Sequence, residues 1–159
     1  MKIHHLSDVR CPFAADDVGV LLTGSDQVDA QKAFVQASRS RRRAALARRL
    51  RREPARCGRL HVYNPPAIAA ANAVRTVPLD RIGGTLEPSR AHLFDGDFRP
   101  RDAARERWQR IWLAEHRGAP LPPVELVKVG DGYAVADGHH RVSVARARGA
   151  LAIDATIAG

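Results

Sequence analysis

The sequence predicts an α+β domain, a small mixed sheet with helices, preceded by an arginine-rich helical N-terminal arm. Three observations predict it. From residue 74 onward, apolar segments of strand-like and helix-like period alternate. From Ser25 to Arg52 the chain has neither Pro nor Gly, and Ala and Arg dominate. The net charge of +9 is confined to one segment: residues 30–59 hold 11 Lys/Arg against a single acid, Glu53, while the rest holds 15 bases and 16 acids. An arm over residues 1–73 and a domain over residues 74–159 are therefore expected.

Residues 1–25 hold short apolar pieces separated by Pro12 and Gly24. The arm is expected to break into two helices. Phe34 and Ala37 lie on one face and Leu46, Ala47 and Leu50 on another, so a break near Ser38-Arg39-Ser40, with a serine cap, removes the conflict. Pro54 and Gly58 stop the second piece, and Pro65-Pro66 breaks any element that follows. Val74 to Leu79 reads as a strand ending at Pro78, with a glycine turn at Gly83-Gly84. Residues 85–101 read as loop. Asp102 then opens a helix whose apolar face is Ala104, Trp108, Ile111 and Trp112, ended by Gly118.

Val124 to Val129 is a strand, Gly130-Asp131-Gly132 a hairpin turn, and Tyr133 to Ala136 the returning strand. Asp137-Gly138-His139-His140 leads into a helix running to about Arg148, which Gly149 closes before a last strand at Ala152 to Ile157. In that helix Val144 and Ala147 face away from Val142 and Ala145. It should be covered on two sides, with the arm as a candidate cover.

The totals exclude several classes. An apolar content of 45% against 27% charged residues belongs to a folded domain. No stretch approaches the ~18 apolar residues of a membrane span; the longest candidate, Val18 to Leu22, is bounded by acids and by Thr23-Gly24-Ser25. The start lacks the apolar core of a signal peptide, and Cys11 and Cys57 form neither a CxxC pair nor a disulfide framework. A cytoplasmic protein with free thiols is expected.

The chemistry is concentrated at Asp137-Gly138-His139-His140-Arg141. A helix starting directly after a strand presents unpaired N–H groups and the positive end of its dipole. Gly138 allows close backbone approach, Arg141 adds a guanidinium fork, and the histidines add donors. Such a junction suits an anion. Read blandly, Asp137 caps the helix, Gly138 serves the turn, and the histidines are surface groups. No metal is expected on the histidines, because adjacent residues project about 100° apart on a helix.

Leu121 to Leu126, Tyr133 to Arg141 and Ala145, together with Val77 to Ile82, Arg90 and Asp95 to Pro100, resemble the ParB/sulfiredoxin superfamily over about residues 76–157. The resemblance implies a nucleoside triphosphate, ATP or CTP, with Mg2+, held by Asp137, Gly138, His139, His140, Arg141 and Arg90. ParB proteins bind CTP through a Gly-Glu-Arg-Arg box, of which Gly138 and Arg141 are kept. Sulfiredoxins use Gly-Cys-His-Arg, and His139 stands where their reactive cysteine would be, so sulfinic acid reduction is not expected. Free serine kinases of the superfamily carry an Asp-Gly-His-His-Arg box like this one and an upstream catalytic glutamate, for which Asp80 and Glu87 are the candidates.

Three functions stay open at this point. In the first, the chain is a ParB-like nucleotide-binding protein that holds DNA non-specifically through Arg39, Arg41, Arg42, Arg43, Arg48, Arg49, Arg51 and Arg52. The DNA-reading helix-turn-helix that follows the nucleotide domain in ParB proteins has no counterpart in these residues. In the second, it is an NTPase or small-molecule phosphotransferase with a carboxylate base near residues 80–97. In the third, it is an interaction protein whose arm binds another protein or forms a homodimer.

Overall fold

The computed structural model describes residues 24–53, 58–64 and 73–158. Cys11, Cys57, Arg56, the apolar piece at 18–22 and the Pro65-Pro66 break lie outside the described residues.

Among the described residues four α-helices are formed: α1 (Asp26–Leu50), the single turn α2 (Pro88–Ala91), α3 (Arg105–His116) and α4 (His139–Ala147). The same residues form six strands: β1 (His61–Val62), β2 (Val74–Pro78), β3 (Ile82–Thr85), β4 (Val124–Val129), β5 (Gly132–Asp137) and β6 (Ala152–Ala158). They make one mixed sheet in the order β1-β3-β5-β4-β6-β2. β4 and β5 are an antiparallel hairpin, while β3 runs parallel to β5 and β6 parallel to β4. β2 closes one edge antiparallel to β6, and β1 closes the other parallel to β3. The fold is α+β with a six-stranded mixed sheet, as expected.

Three expectations are corrected. α1 is one unbroken helix of 25 residues. The conflict between its two apolar faces is resolved by leaving Leu46 and Leu50 in solvent, 58% and 77% exposed, and not by a break at Ser38. Gly83-Gly84 is not a turn but part of β3. A Cβ on Gly84 would come within 2.5 Å of the His61 carbonyl oxygen and the Tyr63 ring, so glycine is what lets β1 approach. β1 itself was not foreseen, because two residues carry no period. The stretch read as loop between 85 and 101 also contains α2, with Pro88 opening it.

α4 lies between two apolar clusters. On one side Val142 and Ala145 meet Ile82, Leu126 and Val135 of the sheet, together with Phe94 and Phe98. On the other, Val144 meets Trp108 and Trp112 of α3 and Phe34 of α1. Phe34 and Trp108 pack edge to face at 5.5 Å, and Trp108 Nε1 donates to Ser143 Oγ at 2.9 Å. The expected two-sided cover of α4 is present, and α1 supplies part of it. Among the described residues, no helix is long and apolar enough to cross a membrane.

Candidate functional site: the start of helix α4

Strand β5 ends at Asp137 and α4 begins at His139, so the chain must reverse within one residue. Gly138 does this with φ +99°, a conformation other residues avoid. Its missing Cβ faces the protein: one built there would sit 2.6 Å from Val124 Cγ1. The glycine thus serves the strand-to-helix packing and not an approaching ligand.

Arg141 is tied down in the same way. Its Nη1 donates to the carbonyl oxygens of Pro122 and, at 2.8 Å, Pro123, and its Nη2 donates to Asp137 Oδ2 at 2.9 Å. Its side chain is 11% exposed, while that of Asp137 is 61% exposed. The guanidinium therefore pins the Pro122-Pro123 segment to the helix start, with Nη1 serving both proline carbonyls and Nη2 serving Asp137.

His139 and His140 are buried. The Nε2 atom of His139 lies within hydrogen-bond distance of Thr85 Oγ1 at 2.5 Å, and Thr85 Oγ1 accepts the Glu87 backbone N–H at 2.8 Å. The Phe94 ring stacks on His139 at 6.5 Å and meets His140 edge-on at 5.1 Å. Burial pushes both imidazoles down to about 4, and the guanidinium groups of Arg90 and Arg107 act in the same direction. Both rings are neutral at pH 7, and each keeps one N–H.

A small recess of about 30 Å3 opens at this point, lined by Arg90, Arg107, Ile111 and residues 137–141. That is about a tenth of the ~300 Å3 at which small-molecule pockets begin. Arg90 comes from α2 and Arg107 from α3, and both are exposed. The structure thus brings Asp137, Gly138, His139, His140, Arg141 and Arg90 together. It adds Arg107 and Thr85, which sequence reasoning missed. Arg107 precedes Ile111 by one helical turn, but its arrival here depends on α3 packing against α4, which no local pattern reveals.

The two proposed bases stand apart from this recess. Glu87 precedes α2 and is exposed, two residues from Thr85, but it does not line the recess. Asp80 lies near Arg146, whose Nη2 donates to the Leu79 and Ile82 carbonyls at 2.7 Å each. That is seven residues, ~10 Å, along α4 from His139. Among the described residues no group of three His, Cys, Asp or Glu side chains could hold a metal ion.

The basic arm divides in two. Arg48 turns inward to Asp95 at 4.0 Å, with side chains 12% and 1% exposed, and Arg41 has a buried Nε. Arg39, Arg42, Arg43, Arg49, Arg51 and Arg52 are exposed. Arg42 approaches Asp102 at 3.9 Å and Arg51 approaches Glu53 at 3.7 Å, both as solvated pairs.

No family model matches the chain, and no curated protein matches it. A solved structure of sulfiredoxin from Arabidopsis thaliana is similar to it, with 17% identity and a TM-score of 0.40 over 54% of this chain and 84% of that one. At this level the likeness says nothing about what the chain binds.

Proposed function

We propose that this is a ParB/sulfiredoxin-like protein that binds the phosphates of a nucleotide at the start of α4. One observation carries the reading. Two arginines from separate elements, Arg90 and Arg107, line the same recess as the first turn of α4, and neither has an ion-pair partner among the described residues. Asp137 is the recess's carboxylate and is paired with Arg141, so the balance of charge there is positive. Backbone N–H groups of the first turn and the N–H of the neutral His140 ring add donors for phosphate oxygens. A recess this small receives only the end of a phosphate group, with the rest of the nucleotide lying outside it. With Mg2+ bound to the nucleotide, the exposed oxygen of Asp137 is the group able to reach it through water.

Binding is favoured over phosphoryl transfer because neither Asp80 nor Glu87 lines the recess to act as base. Association with DNA rests on a different part of the molecule, the outward side of α1, and is independent of this site.

The test is titration calorimetry of the full chain with ATP and with CTP, each with Mg2+. Removing Arg90 or Arg107 as alanine should weaken binding about tenfold each, the scale of one charged hydrogen bond. Equal affinity in the double variant, or no binding of either nucleotide to the unaltered chain, overturns the reading.

A further inference from the structure

α1 continues well past the body that supports its first half. At its beginning Asp26 Oδ2 accepts from Arg117 Nε at 2.8 Å, and midway Phe34 packs on Trp108. From Arg39 on, no apolar side chain of α1 is buried, and the inward positions Arg41 and Arg48 carry on the line of Ala30, Phe34 and Ala37. At 3.6 residues per turn, Arg39, Arg42, Arg43, Leu46, Arg49 and Leu50 fall in an arc of about 120° on the opposite side. All six are exposed. The carboxylates of α1, Asp26 and Asp29, lie in its first turn and not on this stripe.

We propose that this stripe is a contact surface for the backbone of a double-stranded nucleic acid. Its four guanidinium groups span ~15 Å of helix, a length over which duplex phosphates recur every ~1.7 Å of axis. Four long arginines complement a polyanion, with Asp102, 3.9 Å from Arg42, the solvated acid that a phosphate would displace. The stripe carries no aromatic ring, so it has nothing to stack on unpaired bases, which favours a duplex over a single strand. Two leucines make too narrow an apolar face for a helix lying in a lipid surface. The contact reads charge and not sequence.

Two variants of the full chain test this. One replaces Arg39, Arg42, Arg43 and Arg49 with alanine, which keeps the helix, as circular dichroism verifies. The other replaces Leu46 and Leu50 with alanine. Against a short duplex of arbitrary sequence, the unaltered chain should lose about a hundredfold in affinity between about 50 and 200 mM salt, a slope near −3.6 for four phosphate contacts. The leucine variant should keep that slope, as should the variant lacking Arg90 and Arg107. The arginine variant should lose it. Duplex binding that is insensitive to salt, or undiminished in the arginine variant, overturns the proposal. So does capture by phosphatidylserine vesicles of a chain that ignores the duplex.

Discussion

The start of α4 and the second half of α1 are the two places where the sequence suggests an anion is held, and their fates are opposite. At α4 the residues with the most recognisable spacing are turned into the protein. Arg141 serves two proline carbonyls and Asp137, Gly138 packs on Val124, and the histidines are buried beside Phe94 and Thr85. The cations left for a ligand come from elsewhere, on α2 and α3. On α1 the reverse holds: the monotonous arginines are mostly in solvent, and only Arg41 and Arg48 are drawn in. A spacing that looks like a binding motif can thus be scaffolding for a site whose charges arrive by tertiary packing.

The largest effect that sharpens this contrast is Arg141→Ala. It leaves the Pro122 and Pro123 carbonyls without their donor and Asp137 without its counter-charge. A loss of ~2–3 kcal/mol is expected, below the full cost of breaking a buried pair because Asp137 is largely exposed. Thermal denaturation should show a fall of about 5–10 °C for a chain of this size. Arg141→Lys should recover little, since one ammonium cannot serve three acceptors in a planar arrangement. A melting temperature within a degree of the unaltered chain would dissolve the distinction between scaffold and site.

Acid supplies the next effect. His139 and His140 have folded pKa values near 4 against 6.5 in an ordinary setting, so the unfolded chain binds more protons between those values. Stability then rises with pH across that window and is fully present above about 6.5. As pH falls from 6.5 towards 4, each histidine should withdraw up to about 3 kcal/mol. Urea denaturation at pH 7 and pH 5 measures this. In His139→Asn/His140→Asn the acid slope should flatten. Surface histidines, the bland reading of the sequence, would give no slope to remove.

Much of the architecture was legible because its signals are local. The β4–β5 hairpin follows from Gly130-Asp131-Gly132 between alternating strands, and the two-sided cover of α4 followed from Val144 facing away from Val142. What was not legible depends on distant partners. Nothing near Gly84 announces that the His61 carbonyl will approach its Cα, and nothing near Arg107 announces the recess. The expected break in α1 failed for a related reason. It assumed that Leu46 and Leu50 must be buried, whereas α3 starts near Arg42 and leaves them nothing to pack on. Arg141 is the instructive case: its place at the helix start was read correctly, but Pro122 and Pro123, nineteen and eighteen residues earlier, determine which way its guanidinium turns.

The smallest effect is the most discriminating, because it sets two neighbours in the chain against each other. Arg48 turns towards buried Asp95, which is held also by Arg99 at 3.4 Å and by the backbone N–H groups of Asp97 and Arg99. Burial pushes the Asp95 carboxyl up despite Arg99, so this carboxylate depends on every cation near it. At 4.0 Å Arg48 is the more distant of its two arginines, and Arg48→Ala should cost ~1 kcal/mol, part of it from the packed stem of the side chain. Arg49→Ala, on the outward side, should change stability by less than ~0.5 kcal/mol. In duplex binding the order should invert, with Arg49→Ala lowering the salt slope by about 0.9 and Arg48→Ala leaving it unchanged. Equal effects of the two substitutions in both measurements would mean that α1 has no inner and outer arginines, and that its charge acts only as a diffuse cloud.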